Sequence, residues 1–176
     1  MLKYLYKFIR KIFTIFLLLI GGITLEEKNI EILKMELDDL EKISSILTTD
    51  FDDFWNYNIL KQELCNTTSK YIVAKYNDEI IGFAGIIVVL DEADISNIVV
   101  KKNYRNKKIG SLLLANLINL ALENGVKSLF LEVKESNFPA IHLYEKFGFS
   151  RFGLRKNYYN NTENAVLMRY DVFDQA

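Results

Sequence analysis

The chain is poor in several residue types that carry chemistry or cross-links. It has one cysteine, Cys65, among 176 residues, which excludes an internal disulfide and a cysteine-based metal site. Its one histidine, His142, excludes most zinc enzymes, and a Ser-His-Asp hydrolase in which nothing replaces that residue. A single proline argues against rigid linkers, and no fixed repeat period is visible. The net charge of −1 supplies no basic surplus, so direct nucleic-acid binding is not expected. Apolar residues, by contrast, make up half the chain, enough to build a core, and the length suits one folded domain.

Residues 1–28 stand apart. Lys3, Lys7, Arg10, Lys11 and Thr14 share one helical face, opposite Leu2, Leu5, Tyr6, Ile9 and Phe13. An uncharged run from Ile12 to Leu25 follows, interrupted by Gly21-Gly22. At 1.5 Å per residue that run spans about 21 Å, short of a hydrocarbon core of about 30 Å. Three readings stay open. They are a signal peptide without a clean small-x-small cleavage site, a basic interfacial helix touching the membrane through residues 1–25, and a start codon assigned too far upstream. A spanning segment with positive residues before it would export the rest of the chain, so a cytoplasmic domain over residues 29–176 is the expectation.

In the globular part, Ile30 and Ile32 alternate with polar neighbours as a first strand. Leu37, Leu40, Ile43 and Leu47 recur at helical spacing, with Glu36, Asp38 and Asp39 near the positive end of the dipole. Phe51, Phe54, Trp55 and Tyr57 form an aromatic cluster, a lid over the core or a wall of a groove, before a segment Ile59–Leu64. Tyr71–Lys75 and Ile80–Leu90 flank the turn Tyr76-Asn-Asp-Glu79 as a hairpin, and Asp91-Glu92 turns into a strand over Asp94–Val100. A basic turn, Tyr104-Arg-Asn-Lys-Lys-Ile-Gly110, opens an amphipathic helix running to about Glu123, where Asn124-Gly125 stops it. A strand Ser128–Val133 comes next, then a short helix with Pro139 in its first turn and Tyr144 near its end. Two strands, Phe149–Tyr159 and Ala165–Phe173, close the chain. Strand, helix and strand in that order predict a right-handed parallel crossover joined to an antiparallel meander. The expected fold class is therefore α/β of the α+β type, with a mixed, mostly antiparallel sheet.

Taken together, Asn97-Ile-Val-Val100, Tyr104-Arg-Asn-Lys-Lys-Ile-Gly110, Leu131-Glu-Val-Lys-Glu-Ser-Asn137, Ala140-Ile-His-Leu-Tyr-Glu-Lys-Phe-Gly-Phe149 and Arg155-Lys-Asn-Tyr-Tyr159 resemble the GNAT acyltransferases. Within these they are similar to the RimI-type ribosomal-protein-alanine N-acetyltransferases, over about Ile30 to Val172. The resemblance implies a strongly twisted sheet splayed at its fourth and fifth strands, with helices on both faces. It implies acetyl-CoA as co-substrate and no metal. The open edge Ile98, Val99 and Val100 would bind the pantetheine arm. The turn Arg105, Asn106, Lys107, Lys108, Ile109, Gly110 and Ser111 would hold the pyrophosphate through backbone N–H groups, and Asn137 would bond the cofactor farther on. Glu132 matches the family's proton acceptor and Tyr144 its proton donor.

One departure stands out. Lys108 occupies the place of the family's first turn glycine, and a right-handed helical conformation is expected there, because lysine then costs little. Burial of Glu132 at the end of a strand is expected to tune it for proton transfer. Glu92, Asp94 and Glu135 are candidates to attract a cationic peptide, with Tyr158 and Tyr159 flanking it. The implied acceptor is the N-terminal alanine of a small-subunit ribosomal protein, attacked directly in a ternary complex. A small-molecule amine, a lysine, or a non-catalytic acyl-CoA-binding module remain alternatives, since fold does not fix substrate.

Overall fold

A computed structural model describes residues 30–51 and 56–172. The three readings of residues 1–28, together with Phe54 and Trp55, lie outside the described residues. Strands β1 (Ile30–Lys34), β2 (Ser69–Tyr76), β3 (Glu79–Val89), β4 (Glu92–Val100), β5 (Ser128–Lys134), β6 (Ser150–Tyr159) and β7 (Glu163–Asp171) form one sheet in the order β1-β2-β3-β4-β5-β7-β6. Every neighbouring pair is antiparallel except β4 and β5. Helices α1 (Leu37–Ile43), α2 (Leu47–Asp50) and α3 (Tyr57–Cys65) precede β2, α4 (Ile109–Glu123) joins β4 to β5, and α5 (Phe138–Lys146) follows β5. Among the described residues no helix is long and apolar enough to cross a membrane.

Strand alternation divides the core into two layers. Ile72, Ala74, Ile81 and Ala84 pack under α4 and α5 with Leu113, Leu117 and Ile141. Their neighbours Tyr71, Val73, Ile80 and Phe83 face the other way, against Leu40, Ile43, Phe51 and Leu60 of the first three helices. Helices thus cover both faces. The apolar spacing from Leu37 to Leu47 reads as one helix, yet the α-helix stops at Ile43 and a single 3-10 turn, Ser44–Ile46, intervenes. The Ser44 hydroxyl donates to the Glu41 carbonyl at 2.8 Å, a local bond that competes with helical continuation at a pair of serines. Leu47 and Phe51 still reach the core.

The seam between β4 and β5 is the feature that positions the site. Only Glu92, Ala93 and Asp94 pair with β5, opposite Ser128, Leu129 and Phe130. One residue farther on, the β3–β4 register slips: Ile86 faces Ile95 but Gly85 faces Asn97, which leaves Ser96 as an extra residue in β4. Such a bulge bends its strand and increases the local twist, so β4 turns away while β5 continues in register with β7 over all seven residues. Lys101 N–H donates to the Ile81 carbonyl on β3. Alternation along the strand therefore aims the backbone groups of Ile98 and Val100 into the open seam.

The turn before α4 differs from expectation. Lys108 is left-handed, φ 61° and ψ 12°, and serves as the helix N-cap. Asn106 is left-handed as well, at φ 60°. The chain must fold back sharply from the short 3-10 turn Lys102–Tyr104 into α4, and positive φ on both sides of Lys107 accomplishes it. A β-carbon in that region costs on the order of 1 kcal/mol. Lys108→Gly is accordingly expected to raise the stability measured by denaturant titration by about 1 kcal/mol; a lower midpoint at unchanged slope would contradict the strain.

Candidate active site

The two halves of the site lie on opposite faces of the parted seam. On the α4 face, the turn and the first helical turn present a concentration of backbone donors. The first intrahelical bond runs from Leu112 N–H to the Lys108 carbonyl at 3.0 Å, so the amides of Ile109, Gly110 and Ser111 have no partner within the helix. The left-handed Asn106 and Lys108 bend the chain into α4, and the helix dipole adds positive potential at its N-terminus. A methyl group at Gly110 would meet Leu143 at 3.6 Å, an ordinary contact, so the protein itself does not require glycine at this position.

The basic side chains of the turn have structural work of their own. Arg105 donates from Nε to the Val100 carbonyl and from Nη2 to the Phe51 carbonyl, both at 3.1 Å, bracing the turn against β4 and the α2 end. Lys107 places its ammonium 4.9 Å from the centre of the Tyr104 ring. The donors this turn has to spare are therefore its backbone amides. Asn137 is the N-cap of α5, its Oδ1 accepting from Ala140 N–H at 3.3 Å.

On the other face the structure assembles a cluster that joins Glu132 with four of the five acceptor-side candidates, Glu92, Asp94, Tyr158 and Tyr159. Leu129, Leu131 and Val133 point into the α4 layer, so Phe130 and Glu132 face the opposite side, as does Asp94 beside Ile95. Glu132 is not buried in the way its place on an apolar strand suggests. Its side chain is 29 % exposed and forms an ion pair with Arg155 Nη1 at 2.7 Å. The same carboxylate, through its hydrogen-bonding and its charge, raises the Tyr158 phenol above its ordinary range. The Arg155 guanidinium lies 4.8 Å from the Tyr158 ring centre. Tyr159 donates to the backbone carbonyl of Glu132 at 3.4 Å, and burial, then the Glu132 charge, raises its phenol too. Asp94 is pushed upward by desolvation, then by the Glu132 and Glu92 carboxylates. Three acids thus share a region in which Arg155 is the cation paired with Glu132.

Residues 155–159 reach Glu132 because β6 leaves its ladder there. The register with β7 breaks between Arg155 and Tyr159. Asn157 adopts φ 54°, with its N–H held by Asn164 Oδ1 at 3.0 Å. Glu135 lies outside this group, accepting from Asn164 Nδ2 at 2.7 Å near the β6–β7 turn.

Tyr144 approaches from the α5 side. Its ring packs 5.7 Å from Phe149, which in turn lies 5.3 Å from Tyr170. Burial, with a smaller contribution from the nearby Tyr159 hydroxyl, holds its phenol far above the ordinary value, so the proton stays on oxygen at any physiological pH. His142, two positions from Tyr144, is exposed.

Two participants were legible in the sequence only as parts of a motif. Arg155 stood in the Arg-Lys-Asn-Tyr-Tyr run without a role. Asn97 lies on the open part of β4, and neither its Oδ1 nor its Nδ2 finds a hydrogen-bond partner among the described residues, although both atoms are buried. A buried amide pair of this kind, beside an unpaired strand edge, fits the amide-bearing arm of an acyl-carrying thioester or the backbone of an acceptor. A separate cavity of about 430 Å³, lined by Ile32, Met35, Asn116 and Leu120 among others, contains none of these residues.

The comparisons with known proteins bear on the family and the fold. Residues 34–149 match the acetyltransferase (GNAT) family. A [ribosomal protein bS18]-alanine N-acetyltransferase of Haemophilus influenzae is 44 % identical over 120 residues, 65 % of this chain and 80 % of that protein. The crystal structure of the ribosomal-protein-S18-alanine N-acetyltransferase from Escherichia coli superposes with a TM-score of 0.75 at 32 % identity, covering 81 % of this chain and 94 % of that one. A GNAT family acetyltransferase from Elizabethkingia anophelis with acetyl-CoA bound superposes with a TM-score of 0.66 at 25 % identity, over 83 % of this chain and all of that one (100 %). The sheet order, the short parallel ladder and the family match lead to one assignment: the chain belongs to the GNAT family of acetyltransferases.

Proposed function

We propose that the protein transfers the acetyl group of acetyl-CoA to the N-terminal α-amine of a ribosomal protein that begins with alanine, in the cytoplasm and without a metal. The observation that carries this reading is the parted β4–β5 seam. It has backbone phosphate donors on one face and a carboxylate–tyrosine cluster on the other. The residue types fit a substrate delivered from each side. The likeness to relatives named for the alanine of protein bS18 supports the acceptor.

The residues divide the work as follows. The amides of Ile109, Gly110 and Ser111 bind the diphosphate, and the seam edge of Ile98 and Val100 aligns the pantetheine arm and donates to the thioester oxygen as it gains charge. The acids Glu92, Asp94 and Glu132 attract the acceptor ammonium. A free α-amine has a pKa of about 8, so a fraction is already neutral near pH 7 and the remainder must lose a proton. Glu132 accepts that proton first; the neutral nitrogen then attacks the carbonyl carbon and gives up a second proton as the carbon–sulfur bond breaks. Tyr144 faces the departing sulfur. A thiol has a pKa of about 8.5, well below that of this phenol, so Tyr144 stabilises the thiolate chiefly through a donated hydrogen bond. The proton count closes when a proton lost by the amine reaches the thiol. Proton-transfer residues of this kind contribute typically 10²–10⁴-fold.

Release of free thiol, measured with an alanine-first peptide, spermidine and a lysine-containing peptide, tests the acceptor. The highest kcat/KM is expected for the alanine-first peptide. Preference for spermidine or for the lysine side chain would overturn the peptide-terminus reading, and acetyl-CoA binding with no turnover on any amine would make the protein a binding module.

The role assignments have their own test. Tyr144→Phe and Glu132→Gln are each expected to lower kcat by about 10²–10⁴-fold, with little change in acetyl-CoA affinity. Wild-type turnover in both variants would remove the assigned roles.

A further inference from the structure

Asn97 combines three features that the acetyl-transfer chemistry leaves unexplained. First, both polar atoms of its carboxamide are buried, and neither has a hydrogen-bond partner among the described residues. Leaving a buried donor or acceptor unpaired costs about 1–3 kcal/mol, so a carboxamide unpaired at both ends is a place where a partner is due. Secondly, its position on the strand determines the face it serves. Gly85 is directly opposite in the β3–β4 register, and cross-strand partners share a face. A β-carbon on Gly85 would lie 2.3 Å from the Tyr71 ring, which belongs to the layer under α1–α3. Val99, two residues along β4, packs against that same layer. The Asn97 side chain therefore emerges on the face that holds Asp94 and Glu132, opposite the phosphate-binding turn. Thirdly, Asn97 follows the bulged residue Ser96, whose hydroxyl is likewise buried without a partner. The strand beside them is the part that has no β5 neighbour.

We infer that Asn97 is an acceptor-binding residue, whose carboxamide grips the backbone of the peptide's second residue while the first residue's amine enters the seam. The chemistry matches atom for atom. In an extended chain the N–H and C=O of one residue point to the same side. Asn97 Oδ1 accepts the former and Nδ2 donates to the latter. Recognition is then directed at peptide backbone, and an amine that lacks a peptide bond next to its first carbon forfeits both bonds. This rests on the α-amine reading above and adds to it the reason why a peptide is preferred over a simple amine.

Asn97→Leu keeps the size, leaves no unpaired polar atom behind and should fold normally, as its thermal midpoint will show. The expected result is a rise of about 10- to 100-fold in KM for the alanine-first peptide, with the KM for acetyl-CoA unchanged. A matching peptide in which an ester replaces the first peptide bond lacks the second residue's N–H. It should bind the wild type more weakly, and Asn97→Leu should penalise it less than the amide peptide. Equal penalties on the two peptides, or an unchanged KM for both, would overturn the inference and leave the carboxamide to internal solvent. A raised KM for acetyl-CoA instead would assign it to the pantetheine arm and overturn the inference as well. Failure of the wild type to acetylate any alanine-first peptide would be seen before the variant is compared, and would sink the acceptor reading together with this one.

Discussion

The arrangement depends on the brevity of the parallel ladder between β4 and β5. Three residue pairs hold the two strands together, and then the extra residue at Ser96 turns β4 away while β7 keeps β5 straight. A sheet interior normally hides its backbone groups in ladders, because an unpaired buried amide is costly. Here one strand edge lacks a neighbouring strand in the middle of a sheet, with the Val100 carbonyl met instead by Arg105. The neighbouring pairings are continuous enough to hold this gap open. The β2–β3 and β5–β7 ladders run nearly the length of their strands, and α4 seals one face with Leu113, Leu114, Leu117 and Ile118.

The gap also sorts charge by face. The α4 side offers backbone dipoles to a polyanion, with Arg105 and Lys107 engaged in holding the turn rather than projecting freely. The opposite side carries Glu92, Asp94 and Glu132; Asp94 is raised chiefly by desolvation and further by the other two carboxylates. The proposed function has an anionic donor drawn to the first face and a cationic acceptor to the second, to meet where the sheet is open. Arg155 is already seated on Glu132 at 2.7 Å, so the proposed acceptor ammonium would meet a carboxylate oriented by a guanidinium. Such preorganisation is what makes electrostatic catalysis effective, since little reorganisation remains for the reaction itself.

Much of this could be read from residues. The periodicity of Leu113, Leu117 and Leu120 with the Asn124-Gly125 stop located α4, and strand alternation located the meander and the crossover. Glu132 and Tyr144 were singled out by their motif, and the structure places Glu132 on β5 beside Tyr159 and Tyr144 buried on α5, while their catalytic roles remain proposals. Features that depend on local backbone geometry were harder. Nothing in the composition of Asp94–Val100 marks Ser96 as a bulge, because a bulge is a property of pairing with β3. Lys108 was expected to be right-handed because left-handed lysine is costly; the demand of the reversal into α4 outweighed that cost. The Glu132–Arg155 pair spans two strands that are neighbours only through β7, so no sequence spacing announces it. The Ser44-Ser45 interruption of the first helix was hidden by an unbroken apolar spacing.

Amide hydrogen exchange, followed by residue-resolved NMR with and without acetyl-CoA, tests the central claim directly. If the open seam is where the thioester lies, the amides of Ile98 and Val100 and those of Ile109, Gly110 and Ser111 will slow together on addition of acetyl-CoA, while β1 and β2 exchange as before. Unchanged exchange along β4 at saturating acetyl-CoA, or protection confined to the cavity beside β1, would contradict the account.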